Sequence, residues 1–433
     1  MRRNAMKWHK GQKKIAYLLL LCFIASVFAG CGEKQEAVET VKKTNQPYAA
    51  VVSMEETPIV DYVVPQLTPN VLINRCGYRT GGEKVAAVKA SRNPEYFRLV
   101  DAETDAVVYR GRFEKVICDE ETGIYVGNAD FSQYVTSGSY YLETDYIGRS
   151  HTFTIEDNLY DRLFEELYSS LVTDCKEMKI STLESVTLLM AYEWYPEIFA
   201  DADKDEVPDV LAVLRQWISR KLEEKASEED VLFSAFLAKY SYVSQKYDKS
   251  YATDCLRQAT AIYDKSQKNI HKDAQSFLAL TELYRATGTY AYRKQILDYK
   301  DYLENGGSFF EEQEYLFGAM TYVVTRQKVD VDLCESLMSK VMGRGEEISE
   351  IYMDMVNATN AKNNGCDDIL KKASQLSCAN YVLNNYKYNR IMEELADYLM
   401  GKNVKSVCFY PDEGIRTGYI CLLAQLAAVH KAS

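Results

Sequence analysis

The sequence runs to 433 residues with a formal net charge of −12. An acidic chain without a basic cluster excludes nucleic acid and anionic lipid headgroups as partners. Its 11 cysteines are scattered with no CxxC spacing and its histidines number four, which argues against a zinc site, a full disulfide framework and a histidine-based triad.

The first segment, residues 1–31, reads as an export signal. Arg2, Arg3, Lys7, Lys10, Lys13 and Lys14 form a positive flank, and an apolar run from Ile15 to Phe28 follows. That run is shorter than the ~20 residues a bilayer-spanning helix needs, and it suits a secretory h-region. Ala29-Gly30 directly before Cys31 resembles a bacterial lipobox, with Phe28 where Leu is usual. Cys31 is therefore the expected lipidation site, and the chain is expected to be anchored as a lipoprotein on the outer face of a bacterial membrane. Loss of residues 1–30 removes six Lys/Arg and no Asp/Glu, taking the charge from −12 to −18. Residues 32–65 are charged and aperiodic, and they read as a flexible tether.

Residues 66–156 change texture. VLINR, KVAAVKA, YFRLVDA, AVVYRGR, IYVGNADF, GSYYLETD and HTFTIED are seven strand candidates, separated by the turn chemistries RTGGE, DAETDA, EETG and TSGS. So many short strands in this length predict an immunoglobulin-like β-sandwich. From residue 157 to 433 the apolar spacing becomes helical, as in LYDRLFEELYSSL, VLAVLRQWISRKL and SFLALTELYRAT. Ordinary helix and loop lengths predict roughly ten to twelve helices here. NNGCDDIL, near Asn363, reads as a turn and helix entry.

Both halves resemble one family. VLINRCGYRTGGEKVAAV, with Asn74, Gly77, Tyr78 and Lys84, looks like the opening of the N-terminal Ig-like domain of family 9 glycoside hydrolases, although Arg75 replaces the usual Gln. Asp130-Phe131-Ser132, Gly138 and Tyr140-Tyr141 continue the match in order. In the helical part LLMAYEWYPEIF, Pro208-Asp209, TELYRATGTYAY and Gly401-Lys402-Asn403 are similar to the family's landmarks. The resemblance implies a multidomain β + α fold, an Ig-like β-sandwich followed by a shortened (α/α)6 barrel. In active members it implies inverting hydrolysis of cellulose-like chains.

Inverting chemistry needs two carboxyl groups about 6.5–9.5 Å apart, one as acid and one as base. The resemblance places the acid at Glu413, by register with Leu422, Leu426 and Ala427; an Asn would be usual at Tyr419. The family's Trp-x-Asp-Ala-Gly-Asp-Tyr base motif has no counterpart. Thr173–Ser185 reads TDCKEMKISTLES, where Asp174, Glu177 and Glu184 are the nearby carboxylates, expected on solvated helix ends. KLEEKASEEDV also lacks the family's His-Lys loop, and the excursion after GKNVKSVCFYP is missing. Trp194 and Trp217 fall inside helix-matching stretches rather than loops. The expected function is therefore polysaccharide or partner binding with impaired catalysis. The alternative is an active β-glucan hydrolase with Glu413 as acid and a non-standard base.

No cofactor and no metal are expected, since phosphate loops, Gly-x-Ser-x-Gly elbows and His-Glu-x-x-His are absent. The Asp201–Asp209 stretch imitates a calcium loop, but Glu206 and Ala212 stand where an EF-hand requires Gly and Glu.

Overall fold

The computed structural model describes residues 70–431, apart from 119, 121–122, 203, 225–229, 267–272, 306–308, 354–364, 404 and 411–415. The signal segment with Cys31, the 32–65 tether and Glu413 all lie outside the described residues.

All seven expected strands form: β1 (Val71–Leu72), β3 (Val85–Ala90), β4 (Tyr96–Asp101), β5 (Val107–Cys118), β6 (Tyr125–Asp130), β7 (Gly138–Thr144) and β9 (Phe153–Glu156). Two-residue strands β2 (Tyr78–Arg79) and β8 (Gly148–Arg149) join them, and the order is β1-β3-β6-β5-β4-β7-β9-β2 with β8 beside β7. β5 runs past its expected end because one strand serves both sheets. Its first half pairs with β4 and its second with β6, and the register shifts between Glu114 and Ile117. Lys115 takes a positive φ of 49° there, the signature of a bulge that bends the strand. Between the sheets, Tyr78, Phe97, Phe131, Tyr140 and Phe153 form the aromatic centre of the sandwich core.

The helical part is a ring of six inner helices: α2 (Thr182–Trp194), α4 (Val231–Ser244), α6 (Ala274–Thr287), α9 (Gln313–Val324), α11 (Cys366–Leu383) and α13 (Arg416–Lys431). Each packs on the next, and the ring closes where α13 meets α2. The outer layer is α1 (Leu159–Glu177), α3 (Asp209–Lys221), α5 (Lys249–Ser266), the short pair α7 (Tyr290–Leu297) and α8 (Lys300–Asn305), α10 (Val331–Met353) and α12 (Tyr386–Leu399). Sequence separates the layers. In α2 every residue from Glu184 to Tyr192 is buried, whereas α1 buries Leu159, Leu163, Leu167 and Leu171 along one stripe. Inner helices start at the same end of the ring, with side-chain caps from Ser181, Asp230 and Asp273 for α2, α4 and α6.

Residues that carry the family resemblance join the two domains. The Asn74 Oδ1 accepts from the backbone amides of Cys76 and Gly77, while its Nδ2 donates to Asp397 on α12 at 2.8 Å. The Lys84 Nζ, buried, donates to the carbonyls of Arg79, Thr80 and Gly82 and so closes the turn after β2. Gly401 has a φ of +128°, and a Cβ there would lie 2.8 Å from Arg75 Cγ and 2.9 Å from the Ile73 carbonyl. The barrel approaches the sandwich too closely at that point for any side chain.

Candidate functional site

The ring end where the inner helices begin is where the resemblance places catalysis, and its first connection is short. Only Met178–Ser181 separate α1 from α2. Met178 adopts the left-handed conformation that ends α1, and the amides of Lys179 and Ile180 turn back to the Asp174 carbonyl. Ser181 then opens α2 in a capping box with Glu184, each side chain accepting from the other's backbone amide. A four-residue turn closed on both sides leaves no chain to project over a substrate.

Across this turn lies the first turn of α13. The Arg416 Nε donates to Glu184 Oε1 at 2.8 Å, and its Nη1 donates to Asp174 Oδ2. All three side chains are largely withdrawn from solvent, at 9%, 11% and 17% exposure for Arg416, Glu184 and Asp174. Both Glu184 oxygens already accept a hydrogen bond, Oε1 from Arg416 and Oε2 from the Ser181 amide. The expectation of solvated helix ends is thus corrected for Asp174 and Glu184, because Arg416 draws them inward and compensates their charge. It holds for Glu177, half exposed at the end of α1 and paired with Lys179 at 2.6 Å. Arg416 was not legible in the sequence as the bridge between these carboxylates. The available signal was an arginine facing an apolar helix, which needs a buried acceptor.

Tyr419, where Asn is usual, is fully buried edge-on to Tyr410, their centroids 5.4 Å apart. The tryptophans serve packing as well. Trp217 meets the edges of Phe233 and Phe236, and Trp194 stacks on Tyr381 at 4.7 Å. Both are under 10% exposed, so neither offers an open face to a sugar ring. In the Asp201–Asp209 loop, carboxylates of Asp201, Asp205 and Asp209 accept from the amides of Glu206, Val207 and Ala202.

The densest buried charge lies at the opposite end of the ring. Glu193 of α2 pairs with Lys239 of α4 at 2.7 Å and with Arg285 of α6 at 2.6 Å. Glu282 pairs with Arg285 at 2.5 Å and Lys239 at 3.3 Å, and accepts from the Thr321 hydroxyl of α9 at 2.8 Å. Burial opposes the charge on Glu193, but Arg285 and Lys239 overcome it and hold the carboxyl down to about 2. Two acids and two bases from three inner helices cancel, a cross-brace rather than a reactive pair. The landmarks Glu193, Glu282 and Arg285 therefore mark the barrel's internal tie.

Comparison with known proteins agrees with this division. The family model described as the cellulase N-terminal Ig-like domain matches residues 66–149. A metagenome-derived glycoside hydrolase family 9 endoglucanase superposes with a TM-score of 0.66 at 16% identity, covering 79% of this chain and 85% of its own. A family 9 protein of Bacteroides ovatus gives 0.65 at 13% identity, covering 84% and 100%. A thermostable endoglucanase of Alicyclobacillus acidocaldarius gives 0.62 at 17%, covering 79% and 84%. A sequence search among curated proteins finds no match. The chain is thus a family 9-like protein, a cellulase-type N-terminal Ig-like domain joined to the fold of the family 9 endoglucanases.

Proposed function

We propose that this chain is a membrane-anchored surface lipoprotein, tethered through Cys31, that binds polysaccharide or a cell-surface partner on a family 9-like scaffold whose hydrolytic machinery is impaired. The observation that carries the reading is the Arg416 bridge to Asp174 and Glu184. It occupies two of the three carboxylates that flank the turn where the base motif is missing, and that turn has no room for the motif itself. Loss of a general base costs about 10²–10⁴-fold in rate. The fold and the glycan-active company it keeps support a carbohydrate ligand, while the shortened loops argue against turnover.

A second reading keeps hydrolysis. It is favoured by the start of α13 at Arg416, which leaves Glu413 just before the last inner helix, the register the family's acid would have. In that reading the base is non-standard.

Affinity electrophoresis of the chain from Gly32 through gels containing soluble β-glucans or xylans tests the proposal. Retardation by at least one polysaccharide, without reducing-sugar release, is the expected result. Unretarded migration in every gel removes the glycan-binding reading for those polymers.

A further inference from the structure

Between α12 and α13 the chain forms a strap that presses against the sandwich. The Arg75 amide donates to the Met400 carbonyl at 2.8 Å, and the Phe409 amide donates to the Leu399 carbonyl at 2.8 Å. Asn403 stitches the strap to itself, its Nδ2 donating to the carbonyls of Tyr398 and Val407. The Tyr410 hydroxyl donates to the Leu163 carbonyl of α1 at 2.7 Å. Residues on both sides of the seam are therefore fixed by backbone hydrogen bonds, not by loose surface contact.

Cys76 and Cys408 face each other across that seam. Their Sγ atoms are 3.9 Å apart. A disulfide needs about 2.05 Å, so a combined approach of about 2 Å closes the bond, within the range of small side-chain adjustments. Cys76 also lines an open cleft of about 480 Å³ with Arg75, Arg162, Glu166 and Tyr410, so a small oxidant reaches the Cys76 side of the pair from solvent. The two thiols lie 332 residues apart in sequence.

We propose that Cys76 and Cys408 form a disulfide, made by exchange with a small or protein-borne disulfide, that staples the sandwich to the strap leading into the last inner helix. Either Sγ can donate to the other across the seam, so the thiol of one partner stabilises a thiolate on the other. One of the two, as its thiolate, attacks one sulfur of the oxidant RSSR, forming a mixed disulfide and releasing RS⁻. The other then loses its proton and attacks the sulfur of the first, forming the Cys76–Cys408 bond and expelling the second RS⁻. Two thiols are oxidised and one RSSR is reduced to two thiols, so the exchange balances. The bond would restrain the strap up to Tyr410. It is independent of the glycan reading.

The test uses the wild-type full chain, incubated with oxidised glutathione, alkylated with N-ethylmaleimide in denaturant and digested without reductant. The expected product is a linked peptide carrying Cys76 and Cys408, two hydrogens lighter than the two free peptides together. Exposed Cys118 reports that oxidant reached the protein by taking up glutathione. The melting midpoint of the oxidised chain should exceed that of the reduced chain by several degrees. Cys408→Ser should abolish that difference. Recovery of Cys76 and Cys408 as alkylated thiols, or as separate glutathione adducts, beside a modified Cys118 would overturn the proposal. So would a linked peptide with an unchanged melting midpoint.

Discussion

Arg416, on the first turn of the last inner helix, reaches back to Glu184 on the first inner helix at 2.8 Å, 232 residues earlier in the chain. The contact lies where α13 meets α2 and the ring closes, and Asp174 of α1 shares the same guanidinium. One side chain therefore ties the ring closure to two of the three carboxylates flanking the α1–α2 turn. Replacing Arg416 with Met should cost about 3 kcal/mol, since it leaves two partly buried acids uncompensated. Urea denaturation measures this. Adding Asp174→Asn and Glu184→Gln to Arg416→Met should recover part of the loss.

The cross-brace at the other end predicts a larger effect. Glu282 accepts from Lys239, Arg285 and Thr321 in a fully buried setting. Glu282→Gln should destabilise the chain by about 3–5 kcal/mol, because two buried cations lose a counter-charge. Thr321→Val removes one neutral donor to the same carboxylate and should cost about 1–3 kcal/mol. Chemical denaturation of the two variants gives the ratio.

Acid sensitivity should trace to Glu193. Its carboxyl is held at about 2 in the folded chain, below the ordinary 4.5. A depressed carboxylate contributes stability that is fully present above its unfolded value and is lost as pH falls through the folded one. Stability should therefore drop between pH 4.5 and 2. Glu193→Gln should lower stability at neutral pH and flatten the slope across that window, read from denaturation midpoints at a series of pH values.

The seam offers a steric test. Gly401→Ala places a Cβ against Arg75 and the Ile73 carbonyl at a φ of +128°. The backbone cost is about 1–3 kcal/mol before any clash is counted. Asn74→Ala should weaken the same seam, since it removes the donor to Asp397 and the acceptor of the Cys76 amide. Both variants should speed limited proteolysis of the strap, and the sandwich core, lying elsewhere, should keep its aromatic near-ultraviolet signal.

Much of this architecture was legible in the sequence. All seven strand candidates form, and LYDRLFEELYSSL, VLAVLRQWISRKL and SFLALTELYRAT, read as helical, fall on α1, α3 and α6. Local patterning carried those assignments, because period-2 and period-3.6 spacing is written residue by residue. The bend of β5 was not legible, since Lys115 adopts its positive φ to let one strand serve two sheets. The missing base motif was legible as a gap. The fate of Asp174 and Glu184 was not, because their partner Arg416 lies over 230 residues away and only the closed ring brings them together. Long-range ion pairs leave no periodic trace.

The central claim, a family 9-like fold with impaired hydrolysis, is tested most directly by reducing-sugar release from soluble β-glucans and xylans. The chain from Gly32 is compared with its Glu413→Gln variant at matched folded concentration. The account predicts the same background release from both. Release by the wild type that Glu413→Gln abolishes would contradict it, and would establish Glu413 as the acid of a working site.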